Sequence, residues 1–495
     1  MIQPDGVSDP EAVINAALDA RDAGRGADML PSLRAALDRH PRNARLWQTM
    51  GVVYRALDES AAAIDAFAEA ARLAPGEIKS VYGVAQASLE AGRPATALFE
   101  RVRQLAPGDG ALLLGRAAAQ LAEGQGAQAI ADLDAVVADN PLWFDGQAAL
   151  ARLRGQMGDA STFDAGYRRA LAAMPKAFPL WDAFINFLIH VEHYGAAERA
   201  VGEARAAGCH ADGLVLFEAI CASELGDRAR ADHLFDSLAQ RADIGIAERH
   251  IRHLLRTGRA DAAASRVEPH LGDRQANRIW PYAALAWRLT GDARWQWLEG
   301  DPALVGVVDL DVGDLLAPLA ERLRAIHRAV AAPPGQSVRG GTQTDGPLFA
   351  RDEPEIRRLR AIVVAAVEAH VAAMGPRDPQ HPLLRHTGKR FRFAGSWSVR
   401  LMGAGHHSNH IHPQGWLSSA FYVALPSQSE MGPPPAGSLQ LGAAPHELGL
   451  DLAPLRTIEP RPARLVLFPS IMWHGTQPIL GGERLTVAFD VTPVG

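Results

Sequence analysis

Apolar positions in the first half of the chain recur on two periods at once, that of the α-helix and a much longer one. Pro41, Pro75, Pro107, Pro141 and Pro175 are separated by 34, 32, 34 and 34 residues. Eight residues before each stands a large apolar residue, Leu33, Phe67, Phe99, Leu133 and Tyr167, and five before stands a small or β-branched one, Ala36, Ala70, Val102, Val136 and Ala170. The two are three apart and share a helical face. Six residues after the prolines come Trp47, Val81, Leu113, Gln147 and Trp181, and ten after come Gly51, Ala85, Ala117, Ala151 and Ile185, of which Gln147 and Ile185 fit imperfectly. Steps of 34 onward from Tyr167 and Ala170 reach Val201 with Ala204 and Phe235 with Leu238, although the prolines have stopped. Turns such as Ala91-Gly92-Arg93 and Leu225-Gly226-Asp227 split each unit in two. The pattern predicts a helix-turn-helix hairpin repeated to about residue 240.

The last third has a different rhythm. Trp280, Trp287, Trp295 and Trp297 close the last repeat helices, and a helical pattern from Leu315 to Val330 ends at Ala331-Ala332-Pro333-Pro334-Gly335, a boundary signal. One amphipathic helix follows from Pro354 to about Met374. Beyond it the period drops to two, with predicted strands at Trp397 to Met402, Trp416 to Leu425, Ser438 to Leu441, Ala463 to Phe468 and Arg484 to Val491. No helices separate them, which favours an antiparallel sandwich or jelly roll over a parallel sheet.

Composition narrows the function classes. In 495 residues, 50 Lys+Arg face 56 Asp+Glu, a net charge of -6 that lacks the broad basic field of a nonspecific nucleic-acid binder. No apolar run approaches the roughly 20 residues of a membrane helix, and Met1 to Pro10, with Asp5 and Asp9, does not read as a secretory signal. Cys209 and Cys221 are the only cysteines, too few for a disulfide framework. The expectation is a cytoplasmic protein with neither a nucleic-acid nor a membrane partner.

The densest polar constellation is Gly405-His406-His407-Ser408-Asn409-His410-Ile411-His412-Pro413, just ahead of an apolar strand. In extended chain, residues two apart project to one side, so His410 and His412 can offer imidazoles to one ion. His474, 62 residues past His412, is the candidate third ligand, and Arg484 opens the last strand ten residues later. His406 and His407 read as a polar loop at the pocket mouth, and His381, His386 and His446 as solvent-exposed.

Two resemblances give these patterns names. Trp47, Met50, Gly51, Tyr54, Ala63, Phe67, Ala70 and Pro75 resemble the tetratricopeptide repeat. That implies a superhelix whose groove docks a protein or peptide; a dimerisation surface or a rigid spacer is the blander expectation. His-x-His, a strand ending in Tyr422, Phe468-Pro469, Trp473-His474 and Glu483-Arg484-x-Thr486 resemble the iron(II) and 2-oxoglutarate-dependent oxygenases. They are most similar to the branch with His-x-His-Pro before a Ser-rich strand, and Gln336 to Thr344 resembles a segment of its repeat-fused members. The likeness covers about residues 336 to 495.

The resemblance implies a double-stranded β-helix that binds Fe(II), 2-oxoglutarate and O2. His410 would be the first metal ligand, His412 the second and His474 the distal one, and these three form the catalytic centre. Arg484 would pair with the C5 carboxylate of 2-oxoglutarate, aided by hydroxyls of Thr486 and Tyr422. One position departs from the pattern: most relatives carry Asp or Glu where His412 stands. Asp490 and Glu430 are conceivable substitutes that spacing does not support. A three-His cupin-like dioxygenase and a non-catalytic scaffold with a ligand-binding barrel are the alternatives. Arg339, Thr342 and Gln343 either line the substrate pocket or belong to a tight Gly340-Gly341 turn at the domain entrance.

The expected organisation is multidomain: an all-α tetratricopeptide superhelix over residues 1–300, a helical linker over 301–335, and an all-β jelly roll with flanking helices over 336–495. The expected activity is hydroxylation of a protein or peptide that the repeats dock.

Overall fold

The computed structural model describes residues 9–159 and 161–494. The reading of Met1 to Pro10 as no secretory signal bears chiefly on residues 1–8, which lie outside the described residues. Among the described residues, eight helix pairs run from Pro10–Asp22 with Leu30–Arg39 to Ile244–Arg256 with Ala260–Val267, and the helix Trp280–Thr290 follows them. The helices beginning at Ala44, Ile78, Gly110, Phe144 and Phe178 each start three residues after a marker proline. Proline cannot continue the preceding helix. In three of these units the residue before the helix, Asn43, Glu77 or Asp109, caps it by accepting from backbone amides of the first turn.

The long period is a packing period. Leu33, Phe67, Phe99, Leu133, Tyr167, Val201 and Phe235 are each at most 3% exposed, and burying such a side chain contributes roughly 1.5–3 kcal/mol. Of their partners three residues on, Val136 alone is half-buried. Gly51 is small because a Cβ there would lie 2.8 Å from the Phe67 ring. Gln147, the poor match, keeps a different feature of the unit. Trp47 Nε1 donates to the Pro41 carbonyl at 2.9 Å and Trp181 Nε1 to Pro175 at 2.8 Å; Gln147 Nε2 donates to Pro141 at 3.3 Å.

The β-domain contains β1 (Gly306–Asp309), β2 (Val338–Gln343), β3 (Arg390–His407), β4 (Leu417–Ala424), β5 (Leu439–Leu441), β6 (Arg456–Ile458), β7 (Arg464–Pro469), β8 (His474–Thr476) and β9 (Glu483–Val494). They form a six-stranded sheet of order β1-β7-β4-β9-β3-β2 and a three-stranded sheet β6-β5-β8, with antiparallel pairing throughout. Tyr422, Val466 and Phe468 of the large sheet share a core with Leu439, Leu441 and Ile458 of the small one. The other face of the large sheet packs Phe421, Leu465, Val487 and Phe489 against Leu319 and Leu323 of helix Leu316–Ile326 and Leu359 and Val363 of helix Pro354–Ala373. Strand alternation thus separates an inner face, toward the second sheet, from an outer face under helices.

Two expectations change. Residues 301–335 are no linker: β1 is the edge strand of the large sheet, with Val307 opposite Val466, and Val312, Leu315, Leu319 and Leu323 lie in the β-domain core. Its apolar residues follow the helical period, so the sequence showed a helix and hid the four-residue strand before it. Gly340-Gly341 is a bulge inside β2, where the register shifts between Arg339 and Gly341. Gly340 has φ 71°, and a Cβ on Gly341 would lie 2.3 Å from the Arg400 carbonyl.

The repeats hold the β-domain by one recurrent feature, the turn between the two helices of a hairpin. Glu59 pairs with Arg357 at 3.0 Å and Arg360 at 2.7 Å, and Arg93 pairs with Asp352 at 2.6 Å. Gln156 bonds Asp345 at 2.8 Å while its carbonyl accepts from Val330 and Ala331, and Glu192 pairs with Arg339 at 3.1 Å. Further along, Trp473 donates to the Pro281 carbonyl, and Leu448, Ile471 and Trp473 join the core around Trp280 and Trp287. A repeated hairpin presents its turns along one edge, so this edge is occupied by the chain's own β-domain. No helix among the described residues is long and apolar enough to cross a membrane.

Candidate metal and anion site

Three imidazoles converge between the two sheets. His410 and His474 lie side by side through reciprocal backbone bonds, His410 N to His474 O at 2.9 Å and His474 N to His410 O at 3.0 Å. His412 follows on the same side of the extended chain. Ring centroids are 4.2 Å apart for His410 and His474 and 5.0 Å from His412 to each of them, and one ring nitrogen from each lies within 4.8 Å of the others.

The hydrogen bonds assign the tautomers. His410 Nδ1 faces the Ser408 carbonyl at 2.8 Å, His474 Nδ1 the Met472 carbonyl at 2.9 Å and His412 Nδ1 the Asp490 carboxylate at 2.8 Å. Carbonyl and carboxylate oxygens only accept, so each Nδ1 carries a proton and leaves Nε2 as the nitrogen that can face a ligand. Burial and the neighbouring His412 push His410 down to about 3, and burial beside His410 and His412 takes His474 well below the ordinary histidine range. Neutral imidazoles are the form a metal binds.

The inner face of β9 supplies the rest. Arg484, Thr486 and Ala488 alternate into the same cavity of about 60 Å³, with Gln343, Trp397 and Phe468 around it, and no carboxylate among its lining residues. Arg484 is 2% exposed, and burial lowers its pKa. Its Nη1 donates to the Gly437 carbonyl at 3.0 Å, and its Nε has no partner. Its guanidinium lies 5.1 Å over the Tyr422 ring, whose hydroxyl is buried and likewise unpartnered. A buried cation with a spare donor, beside a spare hydroxyl and no carboxylate, is a seat for an anionic ligand.

The predicted substrate residues divide. Gln343 lines the histidine cavity, whereas Arg339 and Thr342 line a neighbouring open cleft of about 1020 Å³, between the repeat turns at Gly155 and Glu192 and the segment His327 to Thr342. Gln336 lines both. Thr342 is engaged by His327 at 2.7 Å and Arg339 by Glu192. Glu430 is a helix-capping residue bonded to Ser427, away from the cavity.

Other residues stand differently from the sequence reading, and Ser337 is added to it. His407 lines the cavity and is no mouth loop, because β3 extends through it; Ser337 Oγ lies 3.1 Å from His407 Nδ1 and 3.2 Å from His410 Nε2. His381 is 1% exposed, contrary to expectation, accepting from the Leu383 and Leu384 amides. Asp490, which the sequence offered only as a substitute ligand that spacing does not support, does not line the cavity and instead accepts from His412 Nδ1.

This set of residues coincides with a known family pattern. Residues 395–490 match the family model described as putative 2OG-Fe(II) oxygenase. The matched residues run from β3 to β9 of the β-domain. No curated protein matches the chain. Among solved structures, a tetratricopeptide repeat protein from Parabacteroides merdae is similar at 17% identity and TM-score 0.28, over 48% of this chain and 96% of that one. A prolyl 4-hydroxylase from Pseudomonas putida is similar at 18% identity and TM-score 0.28, over 39% and 94%. A Trichoplax adhaerens prolyl hydroxylase, solved with a fragment of the hypoxia-inducible-factor oxygen-degradation domain, gives 15%, 0.27, 41% and 92%.

Proposed function

We propose that the chain is an Fe(II)- and 2-oxoglutarate-dependent oxygenase that hydroxylates a protein or peptide. One observation carries the reading: one ring nitrogen from each of three histidines converges in a cavity that also holds a buried guanidinium with a spare donor and no lining carboxylate. His410, His412 and His474 hold the iron. Arg484 receives the distal carboxylate of 2-oxoglutarate through its planar fork, and Thr486 and Tyr422 offer hydroxyls beside it. When bound, iron and 2-oxoglutarate supply the oxidising chemistry: O2 delivers one oxygen atom to the substrate C–H and the other to succinate, with loss of CO2. The chain's own contribution is geometric, fixing the ligands and excluding bulk water from a cavity walled by Trp397 and Phe468.

The outer cleft supports a macromolecular substrate. Its volume of about 1020 Å³ lies at the upper end of small-molecule pockets, and it opens where the repeat turns meet β2. Arg339 and Thr342 contact the incoming chain there, with Gln343 nearer the reacting group. Free, buried Cys209 and Cys221 suit a reducing, cytoplasmic setting.

The test is anaerobic loading with Fe(II), then measurement of succinate and CO2 from 2-oxoglutarate with candidate peptides, in wild type and Arg484→Ala. Stoichiometric succinate that Arg484→Ala loses supports the reading. Metal bound without 2-oxoglutarate consumption would replace it with a cupin-like three-His dioxygenase, and no metal at all would leave a ligand-binding scaffold.

A further inference from the structure

One carboxylate stands directly behind the metal site. The Nδ1 hydrogens of His410 and His474 go to backbone carbonyls, but that of His412 goes to Asp490 Oδ1 at 2.8 Å. Asp490 is held in turn by Ser418, its direct cross-strand partner between β4 and β9, whose hydroxyl donates to the same Oδ1 at 2.6 Å and lies 3.0 Å from Ser470 Oγ. Among the described residues, His412 is the sole ion-pair partner of Asp490.

We propose that Asp490 is a positioning residue for the metal site, placing a negative charge directly behind the ligand His412. The inference rests on the iron reading above. Three neutral imidazoles leave the full dipositive charge on a bound ion. A carboxylate accepting from His412 Nδ1 makes that imidazole a stronger donor, fixes its tautomer and aims Nε2 at the ion. Alternation along β9 makes this economical: Arg484 and Asp490, six residues apart, lie on one inner face, so a single strand carries the anion seat at one end and the metal-tuning carboxylate at the other.

The test is anaerobic Fe(II) titration of the full chain as wild type, Asp490→Asn, His412→Asp and the double variant, each with its thermal midpoint. Asp490→Asn preserves shape and removes charge, and should weaken Fe(II) binding about 10–100-fold. In the His412→Asp background the ligand itself is charged and two carboxylates repel, so Asp490→Asn should leave Fe(II) affinity equal or improve it. Equal weakening in both backgrounds would show a merely structural role and overturn the proposal, as would unchanged affinity in Asp490→Asn. Failure of wild type to bind Fe(II) would instead remove the iron reading and this inference with it.

Discussion

The two halves of the molecule store information differently. In the repeat array each buried side chain meets neighbours about one helix hairpin away, and the same solution is written again every 34 residues or so. Phe67 lies against Gly51 and Gly83, 16 residues away on either side. In the β-domain the decisive contacts are long-range and occur once: His410 meets His474 across 64 residues, and His412 meets Asp490 across 78. Redundant local packing makes an array whose lesions cost stability. Single long-range contacts make a site whose lesions cost chemistry.

That contrast can be broken at either end. The largest effect is expected from His474→Ala, which removes one of three converging imidazoles; Fe(II) affinity should fall by more than the ~10–100-fold of an outer-shell change, and retained binding would show that the triad is no metal site. Phe67→Ala should do the reverse, costing about 3–5 kcal/mol in urea denaturation while Fe(II) affinity in the folded fraction stays put; a shared loss would mean that the halves are one energetic unit. Arg484→Ala should weaken 2-oxoglutarate binding on the order of 100-fold by calorimetry, as expected for loss of a bidentate charged partner, with Fe(II) affinity retained.

Smaller effects lie at the seam. Burial takes His327, bonded to Thr342 and Ser398, down to about 4. Its unfolded value is near 6.5, so the unfolded chain takes up the proton first. The contribution of neutral His327 is therefore complete above about pH 6.5 and is lost as pH falls toward 4. Urea midpoints across that window should decline less steeply in His327→Gln than in wild type. Smallest of all, Glu59→Ala removes partly exposed pairs with Arg357 and Arg360 and should cost about 1 kcal/mol or less; a larger loss would make this turn a principal clamp on the β-domain.

Legibility in the sequence follows the same division. The array could be read because its period repeats. Even its irregular Gln147 makes sense beside Trp47 and Trp181, which donate to the marker proline carbonyl as it does, whereas Val81 and Leu113 keep only the apolar surface. In the β-domain four of the five predicted runs are strands of six residues or more and the fifth is the three-residue β5, whereas β1, β6 and β8, at three or four residues, are too short to show a period of two. β2 was obscured by its glycine bulge. His410, His412, His474 and Arg484 were visible as a family order, and the structure brings all four to one cavity. The contact of Ser337 was not, because nothing local says that a segment 70 residues upstream crosses His407.

The central claim is that one cavity holds both a metal and a carboxylate. Crystals grown anaerobically with Fe(II) and 2-oxoglutarate, with anomalous data at the iron edge, test it directly. The account predicts one anomalous peak bonded to Nε2 of His410, His412 and His474, with a 2-oxoglutarate carboxylate on the Arg484 guanidinium. An iron peak elsewhere, or 2-oxoglutarate density away from Arg484, would contradict it.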